Sequence, residues 1–98
     1  MEKPYTIGEI KDKITGIARQ YGVQKAYLFG SYARGEAGSD SDIDICIEKG
    51  EIHTLLDLSG FRLDLEEILD NKVDVITTSG LSVDFKEQIE REMILIYG

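Results

Sequence analysis

The stretch 30–44 constrains the fold more than any other part of the sequence. An apolar run at 26–29 precedes it and predicts a short buried strand. Gly30 and Ser31 break that run, and apolar residues then alternate with polar ones over Ile43–Glu48. Alternation with a period of two is typical of a strand with one wet face. The sequence therefore predicts two strands joined by a polar connection.

Two carboxylates, Asp42 and Asp44, stand at the start of the second strand. Because side chains alternate along a strand, both point the same way and lie about 6–7 Å apart. Carboxylates so placed repel each other unless a cation lies between them. Gly30 and Ser31 offer unhindered backbone N–H groups and a hydroxyl, which bind phosphate. The pattern favours a metal–nucleotide site over its alternative, a solvent-facing edge strand whose core face is formed by the isoleucines at 43, 45 and 47.

Three short motifs at fixed spacing carry a family resemblance. Gly30-Ser31, Ala-Arg-Gly at 33–35 and Ser-Asp-Ile-Asp at 41–44 resemble the signature of the polymerase-β-like nucleotidyltransferase superfamily. The chain is most similar to the minimal nucleotidyltransferases, small proteins often paired as antitoxins with a HEPN-domain toxin. Ile45 stands where that family often has Leu. The resemblance covers nearly the whole chain and implies one minimal nucleotidyltransferase domain over 1–98.

Asp74 is a candidate for the third carboxylate of the site. It interrupts the apolar residues Val73, Val75 and Ile76, and a lone ionised carboxylate inside an apolar strand is costly unless paired or bound to metal. The alternative is that alternation turns Asp74 towards water. In the superfamily a third acidic residue occupies a matching position, so the resemblance implies a catalytic role for Asp74.

The resemblance also implies what each site residue does. Asp42 and Asp44 would hold two Mg²⁺ ions, and Asp74 would bind the catalytic ion and help to deprotonate the attacking hydroxyl. Two such metals stabilise the attacking and leaving oxygens of an in-line displacement.

The phosphate side of the site is predicted from the same resemblance. Gly30 and Ser31 would contact the triphosphate of ATP, whereas Arg34 either binds phosphate or pairs with local acidic residues. We expect structural or solvent-facing roles for the other candidates: Tyr32 in packing, Cys46 as a small strand residue, His53 at the surface, the Ser-Gly pairs at 59–60 and 79–80 as structural residues, and Glu66, Glu67 and the glutamates at 87–92 as solvated helix faces.

Helical and strand-like patterns alternate along the chain. Thr6 and Glu9 form a capping box before an amphipathic helix at 7–20, which Gly22 ends as a C-cap. The remaining predicted elements are strands at 24–29, 43–48, 73–77 and 93–97, a helical turn at 33–36, a loop at 38–41, a helix at 55–70 capped by Thr54, and a helix to Glu92 capped by Ser82 or Asp84.

This order of elements predicts an α+β (α/β-like) fold, in which helices pack on a small three- or four-stranded sheet. The pattern alone does not decide the direction of the strands. The resemblance implies the nucleotidyltransferase fold, whose sheet is mixed.

Composition narrows the class of protein. The chain has 98 residues, enough for one domain with a modest core, and 42% of them are hydrophobic, as in ordinary globular proteins. No apolar run approaches the roughly 20 residues of a membrane span, and the N-terminus lacks the apolar segment of a secretory signal. The single cysteine, Cys46, fits a reducing compartment, so we expect a cytoplasmic protein.

The formal net charge of −8 disfavours direct binding to nucleic acid, because an acidic chain repels a phosphate backbone. It also implies that ATP binds with Mg²⁺, and it favours a basic protein as the partner.

The predicted function is Mg²⁺-dependent transfer of AMP from ATP. A chain this short has no space for an acceptor-binding domain, so the acceptor is expected on a partner. The resemblance points to a hydroxyl, with tyrosine favoured, on a HEPN toxin. Two alternatives stay open: a binding module that neutralises its toxin sterically, and a small-molecule nucleotidyltransferase completed by another subunit.

Overall fold

The structure is a computed structural model that describes residues 4–38 and 40–98. Residues 1–3, at the start of the N-terminal segment, and Ser39, in the predicted loop at 38–41, lie outside the described part. The described elements are α1 (Ile7–Gln20), β1 (Lys25–Phe29), α2 (Gly30–Arg34), β2 (Ile43–Glu48), α3 (Leu55–Leu69), β3 (Val73–Thr77), a 3₁₀ turn (Thr78–Gly80), α4 (Val83–Glu92) and β4 (Ile94–Tyr97).

The four described strands form one mixed sheet in the order β3-β2-β1-β4. β1 runs antiparallel to β2 and to β4, whereas β2 and β3 run parallel. Parallel neighbours need a crossover connection, and α3 supplies it between β2 and β3. The predicted fold class, helices on a small mixed sheet, is confirmed.

The register of the sheet brings distant parts of the sequence to one end. Phe29, the last residue of β1, pairs with Asp44 of β2, and Asp44 pairs on its other side with Asp74 of β3. Gly30 follows Phe29 directly. The segment predicted to bind phosphate and two of the three predicted carboxylates therefore meet at this end, which we call the acidic end (Gly30, Asp42, Asp44 and Asp74).

The main core lies between the sheet and the helices α1 and α3. Each helix contributes three fully buried residues at helical spacing, and the strands contribute the alternate residues of their core face. Burying one such Leu or Ile side chain contributes roughly 1.5–3 kcal/mol. The fully buried members include Ile10, Ile14, Ala18, Leu28, Ile43, Ile45, Ile47, Phe61, Leu65 and Leu69.

The prediction of a helical turn at 33–36 is wrong in its bounds, because α2 begins at Gly30 and ends at Arg34. Gly30 has φ 73°, a left-handed conformation that lets the chain pass from β1 straight into a helix. Gly35, also with φ 73°, ends the helix in the same conformation.

The predicted helix caps are largely confirmed. The Thr6–Glu9 capping box is present, and Ser82 rather than Asp84 caps α4. The prediction that Gly22 is the C-cap of α1 is wrong by one residue, because Tyr21 is the C-cap and Gly22 follows it with φ 68°. None of the described helices is both long enough and apolar enough to cross a bilayer.

Candidate active site

β2 presents its carboxylates on the face that points away from the main core. Ile43, Ile45 and Ile47 are fully buried, while Asp44 between them is half-buried. Asp42 immediately precedes the strand and is also half-buried. The predicted alternation is therefore confirmed. Cys46 shares the parity of the two aspartates but is buried, in agreement with its predicted structural role.

Gly30 and Asp44 are in direct contact. A Cβ atom built on Gly30 would overlap Oδ2 of Asp44, and the positive φ of Gly30 independently disfavours any other residue. Ser31 follows in the first turn of α2 and is half-buried. The glycine therefore allows the carboxylate and the backbone of the Gly-Ser segment to lie against each other.

Asp74 lies beside Asp44 across the parallel pair β2 and β3. Asp74 is the one exposed residue of β3, whose other residues are buried or half-buried. Of the two alternatives for Asp74, a costly carboxylate enclosed in an apolar strand or one that alternation turns to water, the structure shows the second. The position on the neighbouring strand is nevertheless the one that the family resemblance implies for a third acidic residue.

Burial and neighbouring charges both raise the pKa of the Asp44 carboxyl. Its partial burial is the main cause that raises the pKa of the Asp44 carboxyl above the ordinary value of 3.8. Repulsion from Asp74 and then from Asp42 raises this pKa further. Arg34 acts in the opposite direction, and Glu92 adds a smaller repulsion. A bound cation would relieve the repulsion, so the acidic end is a candidate cation site.

Asp42 has a cationic neighbour. Nζ of Lys72 lies 3.8 Å from Oδ2 of Asp42, and the two side chains are 68% and 41% exposed. Exposed pairs at this distance contribute little, typically below about 1 kcal/mol, and are readily exchanged for another cation. Within residues 4–38 and 40–98, no group of three Asp, Glu, His or Cys side chains lies close enough together to bind one metal ion. Carboxylate oxygens are the ligands that Mg²⁺ prefers, so the donor set itself fits.

Arg34 pairs with two glutamates. Its Nε donates to Oε1 of Glu36 at 2.7 Å, and its Nη1 donates to Oε2 of Glu92 at 3.1 Å. Both bonds raise the pKa of Arg34, the bond to Glu36 having the larger effect. Of the two roles left open for Arg34, pairing with acidic residues is the one present here, and the guanidinium is exposed enough to contact a ligand as well.

Glu92 was predicted as part of a solvated helix face, and this prediction is wrong. The backbone N–H of Gly30 donates to Oε1 of Glu92 at 3.1 Å, so Glu92 joins the end of α4 to the Gly-Ser segment. One signal in the sequence could have indicated this contact. Glu92 follows Ile89, the buried residue of α4, by three positions and so lies on the same face of the helix.

Glu66 is the second correction. Its Oε1 accepts from Arg62, and its Oε2 accepts from the backbone N–H of Val73 at 3.1 Å, so it fixes the start of β3 instead of facing water. The other structural assignments hold. Tyr32 is buried and His53 is exposed, with its Nε2 3.6 Å from Glu51. Glu67, Glu87 and Glu90 are exposed.

Comparisons with known proteins show the family of the chain. The family model described as Polymerase beta, Nucleotidyltransferase matches residues 12–98. The protein adenylyltransferase MntA of Thermococcus cleftensis is 34% identical over 95 residues, which cover 93% of this chain and 96% of that protein. A Methanocaldococcus jannaschii protein that bears the provisional name protein adenylyltransferase is 46% identical over 88 residues, covering 90% and 95% of the two chains.

A solved structure shares the fold as well. In a toxin–antitoxin crystal structure with AMP-PNP, one chain superposes with a TM-score of 0.79 at 27% identity, covering 90% of this chain and 73% of that one. The mixed sheet and the Gly-Ser segment packed against Asp44 give the same assignment as these matches. The chain therefore belongs to the polymerase β nucleotidyltransferase family, and the predicted minimal nucleotidyltransferase is confirmed.

Proposed function

We propose that the chain is a Mg²⁺-dependent protein adenylyltransferase that transfers AMP from ATP to a hydroxyl of a HEPN-class toxin and so acts as its antitoxin. The observation that carries the proposal is the register of the sheet. It brings Asp44 beside Asp74 and places Gly30 in contact with Asp44, three residues that are far apart in the sequence.

In this proposal the carboxylates hold the metal ions. Asp42 and Asp44 would bind two Mg²⁺ ions, and Asp74 would bind the catalytic one. Burial is the main cause of the raised pKa of Asp44, but repulsion from Asp74 and Asp42 adds to it, and repulsion between like charges favours a bound cation. When bound, the ions supply electrostatic stabilisation of the charge that develops on the attacking and leaving oxygens.

The Gly-Ser segment and Arg34 would orient the triphosphate. The backbone N–H of Gly30 and the hydroxyl of Ser31 are hydrogen-bond donors for phosphate oxygens, and Arg34 adds a fixed positive charge. Correct orientation matters because in-line displacement requires pyrophosphate to leave opposite the attacking oxygen.

The chemical step requires only ATP and the acceptor hydroxyl as reactants. The acceptor oxygen bonds to the α-phosphorus of ATP, while the bond from this phosphorus to the α–β bridging oxygen breaks and pyrophosphate leaves. The proton of the acceptor hydroxyl passes to the carboxylate of Asp74. Because Asp74 is exposed, it can then release this proton to water.

The proposed acceptor is a tyrosine hydroxyl of the toxin, as the family resemblance implies. The toxin–antitoxin neighbour supports a toxin as the partner, and the net charge of −8 favours association with a basic surface. Since the donor is ATP and the one cysteine is an unpaired thiol, we place the reaction in the cytoplasm.

The experiment combines the chain at far below equimolar amounts with a HEPN-class toxin, with and without MgATP. We expect the intact mass of the toxin to rise by whole AMP units, and its ribonuclease activity to fall, only when ATP is present. Inhibition that needs equimolar chain, ignores ATP and adds no mass would identify a steric antitoxin instead. Label from ATP that appears on a small molecule would identify a different acceptor.

A further inference from the structure

Glu92 joins the end of α4 to both ends of α2. Its Oε1 accepts from the backbone N–H of Gly30, and its Oε2 accepts from Nη1 of Arg34, each at 3.1 Å. The side chain is 22% exposed, so most of its surface is shielded from water. Glu92 is the last residue of α4, 62 positions away from Gly30.

The two donors that hold Glu92 are donors for an anion. The two oxygens of a carboxylate bound by a backbone N–H and a guanidinium accept the same hydrogen bonds that two oxygens of a phosphate would accept. The proposed function assigns Gly30 and Arg34 to the triphosphate. Glu92 and the triphosphate would therefore compete for the same two groups.

We infer that Glu92 determines the affinity for nucleotide: its carboxylate occupies the Gly30 N–H and Arg34 until MgATP displaces it. This inference rests on the proposed function, because it uses the phosphate contacts assigned there. Its consequence is that the free enzyme holds its phosphate donors paired, and that nucleotide binding separates the end of α4 from α2.

A different role for Glu92 would be to orient Arg34 for phosphate. The structure argues against it, because Arg34 is already held by the shorter bond to Glu36 at 2.7 Å. The two roles predict opposite effects of removing the charge. If Glu92 competes, nucleotide binds more tightly without it; if Glu92 orients Arg34, nucleotide binds more weakly.

The test compares Glu92→Gln and Glu92→Ala with Glu90→Gln, an exposed control on the same helix with the same change in net charge. Calorimetry would measure binding of the Mg²⁺ complex of α,β-methylene-ATP, which cannot be cleaved at the reacting bond. We expect both Glu92 variants to bind about fivefold more tightly than the wild type, equivalent to about 1 kcal/mol, and the control to be unchanged. With the partner present, KM for ATP should fall while kcat changes less than about twofold, since the contact is absent once ATP is bound.

Equal or weaker nucleotide binding by both Glu92 variants, with circular dichroism unchanged, would overturn the inference. If these variants transfer AMP with the wild-type KM for ATP, the inference about Glu92 is contradicted and the proposed function stands. Tighter binding in variants that transfer no AMP, together with a wild type that transfers none, would instead support the inference and contradict the proposed function.

Discussion

The helix-covered face of the sheet and the acidic end differ in their charged groups. Among the described residues, the core under α1 and α3 contains only hydrophobic side chains. At its margin the hydroxyl of Tyr21 is paired, donating to Oδ2 of Asp64 at 2.6 Å. At the acidic end, Asp44 is half-buried beside two further carboxylates. The first region is stable by itself, whereas the second is arranged for a ligand, which is how functional sites commonly differ from their scaffold.

The largest effect should come from Asp44→Asn. The substitution keeps the shape of the side chain but removes a charge from the proposed metal site, so we expect AMP transfer to fall by at least about a hundredfold, as for loss of one preorganised electrostatic contact. Asp12→Asn, an exposed change on α1, is the matched control on the helix-covered face and should keep the wild-type rate. Intact-mass measurement of the partner gives both rates. AMP transfer by Asp44→Asn at the wild-type rate would contradict the distinction between the two regions.

Ligand binding should stabilise the acidic end specifically. At about a hundred times its Kd, MgATP should raise the free energy of unfolding by about 2.7 kcal/mol, because it binds only the folded chain. Thermal denaturation would show this as a higher Tm in the wild type and in Asp12→Asn. If Asp44→Asn gained just as much, the nucleotide would be binding elsewhere.

Gly30→Ala should destabilise the fold and displace Asp44. The new Cβ meets Oδ2 of Asp44, and φ is 73° at this position, so a cost of about 1–3 kcal/mol is expected together with loss of transfer. Gly16→Ala in α1 is the control, since nothing lies within 4 Å of the added Cβ. That change should stabilise the protein by up to about 1 kcal/mol. Denaturant unfolding curves in which both variants shift the same way would contradict this account.

The smallest effect concerns stability without metal. Because the pKa of Asp44 is raised in the folded chain, its ionised carboxylate lowers the free energy of unfolding. This destabilisation is complete above the folded-state pKa and disappears as the pH falls through that pKa towards 3.8. In EDTA at neutral pH, Asp44→Asn should therefore be more stable than the wild type by up to about 1 kcal/mol. This advantage should shrink as the pH falls, whereas Asp12→Asn should show neither effect. A less stable Asp44→Asn protein at neutral pH would mean that the carboxylates do not repel each other.

The sequence predicted the parts of the molecule that depend on local pattern. Alternation defined β2 and the orientation of Asp44, and the capping box at Thr6 defined the start of α1. The mixed sheet came from the family resemblance, because strand direction leaves no local pattern.

The errors share one physical cause, which is that they depend on contacts between distant residues. Glu92 and Glu66 look like solvated glutamates in sequence, yet each accepts a backbone N–H from another element. The start of α2 was missed because a glycine usually ends a helix, and at Gly30 its positive φ instead joins a strand to one. Asp74 lies on the strand beside Asp44, and its exposure depends on which face of β3 remains uncovered.

The central claim is that the carboxylates of the acidic end act as one catalytic unit, and Asp74 tests it most directly because only the parallel pairing of β2 and β3 brings it to the site. The measurement is the initial rate of AMP transfer to the partner, by intact mass, for Asp44→Asn, Asp74→Asn and the double variant. Residues that act as a unit are not additive, so each single variant should lose at least about a hundredfold and the double variant little more. Wild-type transfer by Asp74→Asn, or losses that multiply in the double variant, would contradict the claim.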